Sequence, residues 1–288
     1  MGFCGFEKIT SYNSLKSETT TLTCDPYHFS VPTKEDSFDK TNTYTHDIQI
    51  ASDKTYKTLL KTSVSLDKAT NVSITTSYTY DSYGSPLTET RNYGNGITVA
   101  IKNTYSNINS AAAYIIGLPV EINETTTRNG SSVTAKETFA YNSNYLQTSK
   151  LTYYNNNKVS EENYIYDTHF NLTASKTKPY SSANWISENY VYDSYGRVTK
   201  KTATNGTYET YTYNANGMLG STKDHKNNTI SYLYDPWGDN IKVTHPDGST
   251  ETVSKAWVTS PAGALYSNTH TLSDAANTIS YYNAKVRK

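Results

Sequence analysis

Cysteine, methionine and tryptophan are nearly missing from the sequence, with two, two and three residues in 288. Cys4 and Cys24 could pair, but two cysteines in so long a chain define neither a disulfide framework nor a metal site, and free thiols are expected. Long apolar runs are absent too. Nothing approaches the roughly 20 residues that cross a bilayer as a helix, so no membrane span is expected. Met1-Gly2-Phe3-Cys4-Gly5 has neither the charged nor the apolar region of a signal peptide, which makes the start read as that of a gene fragment. Charge of one sign is lacking as well: 26 basic residues face 26 acidic ones. Without a basic block to displace counterions from phosphates, nucleic acid is not expected as a partner.

What is abundant is tyrosine, with 28 residues against six phenylalanines, in a chain only 35% hydrophobic. A core here must be built largely from phenol rings, each an apolar body with a hydroxyl that needs a partner or water. That suits a sheet with wide, half-wetted faces. Threonine favours strands as tyrosine does, and the plentiful asparagine favours turns.

Alignment of the chain on itself reveals a repeat: aromatic-x-aromatic, then Asp or Asn, a short turn, and the next strand. Tyr78-Thr79-Tyr80-Asp81-Ser82-Tyr83-Gly84 returns as Tyr190-Val191-Tyr192-Asp193-Ser194-Tyr195-Gly196. Further copies are Tyr211-Thr212-Tyr213-Asn214-Ala215-Asn216-Gly217 and Tyr232-Leu233-Tyr234-Asp235-Pro236-Trp237-Gly238, with looser ones at Phe139-Ala140-Tyr141-Asn142 and Tyr164-Ile165-Tyr166-Asp167. Positions 142, 167, 193, 214 and 235 lie 25, 26, 21 and 21 residues apart, a spacing that fits one hairpin per repeat. An Asp or Asn at a strand end accepts a hydrogen bond from an N–H two residues on, and a Gly three positions later takes positive φ freely. Tyrosines at i and i+2 share a face, where stacking on neighbouring repeats is expected. Asn95-Gly96, Asn129-Gly130, Asn205-Gly206 and Asp247-Gly248 mark a second hairpin turn. Tyr145 and Phe170 stand where the turn glycine belongs, so another turn geometry is expected there. Ser110–Gly117 is the best place for a short helical turn.

These Tyr-Asp-x-x-Gly units resemble the YD repeats of bacterial Rhs proteins and toxin-complex C components, and more distantly those of teneurins. Ala113-Tyr114-Ile115-Ile116-Gly117-Leu118-Pro119 and Gly5-Phe6-Glu7-Lys8-Ile9 support the likeness, which covers nearly the whole chain and weakens between residues 25 and 75. It implies an all-β fold, a curved antiparallel sheet of successive hairpins forming an open segment of an Rhs-type β shell, with little helix. The expected division is weakly matched β repeats over 1–75, the YD array over 76–253, and a loop excursion with a truncated final repeat, Tyr281-Tyr282-Asn283-Ala284-Lys285, over 254–288. Tyr80, Asp81, Gly84, Tyr166, Asp167, Tyr192, Asp193, Gly196, Tyr213, Asn214, Gly217, Tyr234, Asp235 and Gly238 are the structural residues of the motif.

In the bacterial family the repeats enclose a toxic C-terminal domain, and a core region before it cleaves itself with acidic residues. Asp235-Pro236-Trp237-Gly238 is the nearest match to that boundary. Ile230 occupies the place of the boundary proline and Asp235 falls in phase with the repeats, so the segment reads as a turn and no cleavage residue is assigned.

Other chemistry is sparse. His28, His46, His169, His225, His245 and His270 lack metal-ligand spacing. Asp224-His225 and His245-Pro246-Asp247 have no nucleophile elbow to serve and read as turns. Glu161 and Glu162 alternate across a strand and cannot converge on one bond. Asp25-Pro26-Tyr27-His28 is a turn, the one local cluster in the region where an unrecognised enzyme site would have to lie.

The reading is therefore a non-catalytic shell segment without cofactor, secreted or at the cell surface by resemblance, partnered by neighbouring repeats or another shell chain and by a toxin or other cargo polypeptide. An uncapped sheet edge would invite self-association. The runner-up is a cell-surface adhesin or carbohydrate-binding repeat module, which needs an open aromatic patch around Trp185, Trp237 or Trp257.

Overall fold

A computed structural model describes residues 5–28, 30–50, 56–180, 182–273 and 275–282. Cys4 and Asn283-Ala284-Lys285 lie outside the described residues. The chain divides into two compact units, residues 1–162 with 179–181, and 163–178 with 182–288.

The first unit holds strands β1 (Lys8–Asn13), β2 (Glu18–Asp25), β3 (Val31–Asp36), β4 (Lys40–Ile50), β5 (Tyr56–Asp67), β6 (Val72–Tyr80), β7 (Pro86–Gly94), β8 (Ile97–Asn109), β9 (Tyr114–Arg128), β10 (Ser131–Tyr141) and β11 (Gln147–Tyr154). Strand β12 (Asn157–Tyr166) runs across the boundary in sequence. The second unit holds most of β13 (Leu172–Pro179), then β14 (Ile186–Tyr192), β15 (Val198–Ala203), β16 (Tyr208–Tyr213), β17 (Leu219–Asp224), β18 (Thr229–Tyr234), β19 (Asn240–Thr244), β20 (Thr250–Trp257), β21 (Tyr266–Leu272) and β22 (Thr278–Tyr282). From β1 to β11, and again from β13 to β22, each strand pairs antiparallel with the next in sequence. The protein is all-β, built from successive antiparallel hairpins.

Among the described residues the one helical turn is Pro26–His28, closed by the Asp25 carboxylate, which accepts from the Tyr27 N–H at 2.9 Å. The helical turn expected over Ser110–Gly117 does not form. The β8–β9 ladder extends to Asn109 opposite Tyr114, so residues 110–113 close a hairpin instead, with the Ser110 N–H donating to the Ala113 carbonyl at 3.0 Å. In the last part of the chain, expected as an excursion, β21 and β22 continue the meander after an irregular stretch over 258–265.

Burial is shallow. Among the described residues only Cys24 and Ala174 are buried apolar side chains, and Cys24 is a free thiol. Alternation is nonetheless clear on β6, where Ile74, Thr76, Tyr78 and Tyr80 face the covered side and Thr75, Ser77 and Thr79 face out. Tyr78 and Tyr80 share that face as rings 6.4 Å apart, inclined by 26°. Cohesion therefore comes from ladder hydrogen bonds and half-covered phenol faces rather than from a sealed interior.

Three hairpins close on two residues of positive φ: Asn95-Gly96 (50° and 72°), Asn129-Gly130 (49° and 83°) and Asn155-Asn156 (46° and 64°). This is the mirror-image turn whose twist matches that of paired strands. At Gly130 an added Cβ would meet open space, so Gly130→Ala is expected to lower stability by about 1–2 kcal/mol through left-handed strain alone. Gly130→Asn should cost less, because Asn tolerates that region. Urea unfolding of the three proteins checks this, and equal losses for Ala and Asn would refute it.

Candidate functional site at the repeat turns

Seven turns share one geometry, beginning at Asp81, Asn142, Asp167, Asp193, Asn214, Asp224 and Asp235. In each, the first residue's N–H donates to the carbonyl four residues on at 2.9–3.0 Å, and its own carbonyl accepts from the N–H three on at 3.0–3.1 Å. The side-chain Oδ1 accepts from the N–H groups two and four residues on, at 2.8–3.0 Å throughout. One oxygen thus satisfies two backbone donors that the turn takes out of the ladder.

The fourth residue of each turn has positive φ. Gly84, Gly196, Gly217 and Gly238 hold it as the motif implies, with φ from 76° to 93°. Tyr145 (62°) and Phe170 (68°) adopt the same conformation, which corrects the expectation of a different turn at those two copies. The paired N–H groups on Asn142 and Asp167 hold these residues in a region that costs an ordinary side chain about 1–2 kcal/mol. Asp224 begins a further copy that escaped the sequence because no Tyr-x-Tyr precedes it; its signal is Asn227, which takes the left-handed place at φ 70°.

Asn205-Gly206 and Asp247-Gly248 also differ from expectation. They are the third and fourth residues of turns that begin at Ala203 and His245, with the same backbone bonds as the seven. Lacking an Asp or Asn as first residue, these turns rely on the Asn205 and Asp247 side chains, which accept from Thr207 and Ser249 N–H at 3.0 and 2.9 Å.

The tyrosine before the turn acts on the preceding strand. Tyr80, Tyr141, Tyr192 and Tyr213 donate their hydroxyls to the carbonyls of Leu60, Pro119, Leu172 and Val198 at 2.6–2.8 Å, and Tyr105 donates to Pro86 at 3.0 Å. In all five cases the accepting carbonyl lies two residues beyond the last paired residue of the ladder joining the two strands. The phenol therefore replaces the ladder bond where the strands part. Burial raises the pKa of Tyr80, Tyr105, Tyr141, Tyr166 and Tyr192, keeping each a donor. Tyr166 and Tyr234 end β12 and β18 half-buried at the equivalent positions. Tyr105 was not visible as a copy because Ser106 follows it in place of Asp.

A second tie was also missed in the sequence. Tyr190 and Tyr211, the first tyrosines of their pairs, donate to Glu188 and Glu209 at 2.7 Å, two residues back on the same face. Its signal is Glu-x-Tyr-x-Tyr. Lys201 closes on Glu188 at 2.7 Å. Between repeats, the Arg197 guanidinium binds Asp193 at 2.7 Å and stands 4.5 Å from the centre of the Tyr213 ring.

The carboxylates carry the charge these donors favour. The Arg197 N–H holds Asp193 below the ordinary aspartate range, and the Asn171 and Asn228 amides do the same for Asp167 and Asp224. At Asp81 burial opposes ionisation, and the Ser85 N–H with the Asn107 amide outweighs it, leaving the pKa lowered.

The remaining polar clusters are ordinary ties. Asp25 meets His28 at 2.7 Å, Glu161 meets Lys158 at 2.8 Å, and Glu251 receives His245 at 2.9 Å and His270 at 3.5 Å. His169 and His225 sit in turns. No group of three His, Cys, Asp or Glu side chains among the described residues is arranged to hold a metal ion, and no helix among them is long and apolar enough to cross a membrane.

The teneurin YD-shell family model matches residues 11–247. No curated protein matches the sequence. Solved structures similar in fold include TcdB2-TccC3-TEV (TM-score 0.56, 10% identity), TcdB2-TccC3-Cdc42 (0.55, 11%) and TcdB2-TccC3 without its hypervariable C-terminal region (0.56, 10%). Each similarity covers 91% of this chain but only 15–16% of the other, so the chain spans about one sixth of their length.

Two outcomes follow from the turn geometry. Tyr192→Phe strands the Leu172 carbonyl and should cost about 1 kcal/mol in urea unfolding. Tyr195→Phe, at an 82% exposed ring, should be neutral, and equal effects would refute the clasp. Asn214→Ala should cost about 1 kcal/mol, whereas Asn214→Asp keeps both bonds and adds a pH dependence. With its folded pKa below the unfolded value of about 3.9, the new carboxylate's contribution is present above that value and lost as pH falls through the folded pKa. Thermal melts at pH 7 and 3 check this; an Asp variant losing no more than the parent on acidification would sink it.

Proposed function

Because this chain belongs to the teneurin YD-shell family, we propose that it is a length of non-catalytic wall in a shell enclosing a toxin or other cargo polypeptide. The observation that carries this reading is where the conspicuous polar groups go. The motif's carboxylates, amides and phenol hydroxyls, which an enzyme would aim at a substrate, are taken up inside the turns and between adjacent strands. On this proposal Tyr80, Asp81, Gly84 and their counterparts are structural, and residues 76–253 supply the regular repeats. One structure of similar fold is described as lacking a hypervariable C-terminal region, and a variable segment of that kind is the cargo envisaged. Neighbouring repeats or a partner shell chain complete the wall, in a secreted or cell-surface setting.

A photocrosslinking residue at Thr222, opposite Tyr211 and so on the phenol face, tests the reading in the organism that makes the protein. Its partner is Leu233, exposed on the other face. Crosslinks to a second polypeptide segment from Thr222 but not from Leu233 are expected. Crosslinks from Leu233 alone, or from neither, would overturn the enclosure.

A further inference from the structure

Beyond the segment matched by the family, three strands build an aromatic surface that carries no YD motif. Trp257 on β20, Tyr266 on β21 and Tyr282 on β22 stand directly opposite one another. The Tyr266 and Tyr282 rings stack at 4.9 Å and 9°, and Trp257 meets Tyr266 edge-on at 6.3 Å, leaving the indole 85% exposed. Large, rigid aromatic faces left open to solvent are the side chains recognition surfaces favour.

The next row on the same face is polar: Lys255, Asn268 and Ser280, again in cross-strand register. The Lys255 ammonium is engaged by Asp239. Asn268 Oδ1 is shut off from solvent and accepts no hydrogen bond, while the side chain as a whole is half-buried. An orphan acceptor of this kind is relieved only by a donor. That requirement selects among ligands that lie on aromatic rings. A proline-rich peptide has few N–H groups to offer. A nucleic acid would need free cations, and among the described residues the cation in this row, Lys255, is already paired. A sugar presents an apolar ring face and, at its rim, hydroxyls that donate.

We propose that this face binds a neutral carbohydrate, with the sugar ring on Trp257 and the Asn268 side chain turning outward on binding so that its Oδ1 accepts from a sugar hydroxyl. The site lies outside residues 11–247 and on no YD turn, but Trp257 continues the face of Tyr232 through Val243 and Glu251, so sugar and enclosed cargo would share one side of the sheet.

Isothermal titration of the full chain with cellohexaose, mannohexaose and N-acetylchitohexaose, and with decaproline for comparison, tests it. At least one sugar should bind. Trp257→Ala should weaken that binding roughly tenfold, the loss of about one ring contact, while Trp257→Phe retains most of it and Trp237→Ala leaves it unchanged. Asn268→Ala should also weaken binding, without lowering the urea midpoint, because it removes the orphan. Absence of binding by all three sugars at millimolar concentration, indifference to Trp257→Ala, or binding of decaproline in their place would each overturn the proposal.

Discussion

One oxygen accepting two backbone N–H groups is the interaction on which the rest of this fold depends. A hairpin link that removes a residue from the ladder leaves donors unpaired, and the Oδ1 of the first turn residue takes up two of them within five residues. Since the turn is completed by its own side chain, it needs no support from elsewhere. That is why Asp and Asn exchange freely at the position, and why the left-handed fourth residue can be Gly, Asn, Tyr or Phe. The local bonds over-determine the backbone, so the residue type there matters less than composition rules suggest.

The clasp sits beside the turn. At Tyr80, Tyr192 and Tyr213 a bulge shifts the register against the following strand. The ladder with the preceding strand ends three residues before the tyrosine, and the carbonyl two residues beyond its last pair has no ladder partner. A phenol on the adjacent strand spans that gap. This accounts for tyrosine where phenylalanine would serve equally well for burial. Where the chain is nearly devoid of sealed core, a ring that both covers apolar surface and ends in a donor serves two purposes at one position.

Much of this was legible beforehand. The all-β class, the hairpin order and the repeat spacing followed from Tyr-x-Tyr-Asp and its period, because a strand end and its turn are written into adjacent residues. What escaped depended on a residue's absence or on its neighbour across the sheet. Tyr105 and Asp224 each carry half of the motif, so pattern matching passed over them. The shared conformation of Tyr145 and Phe170 was hidden because side-chain preference argues against positive φ, while the bonds that enforce it belong to other residues. Asn-Gly at three places and Asp-Gly at a fourth suggested one turn type and hid two, since the dipeptide fixes only where positive φ falls, and the register decides which turn position that is. Trp257 stood out in the sequence as one of three places for an open aromatic patch, but its ladder did not: the members lie in three strands, and only pairing sets them side by side.

Within each unit the strands contact chiefly the one before and the one after, and this bears on how the protein is made. Nearly all pairing is between segments close in sequence, so little loop-closure entropy opposes each new hairpin, an unusual condition for a chain with so many strands. A strand emerging from the ribosome finds its partner already synthesised and its turn already self-sufficient. Assembly can then proceed as growth from a finished edge, one hairpin at a time, keeping pace with translation and leaving only the newest strand exposed to misassociation.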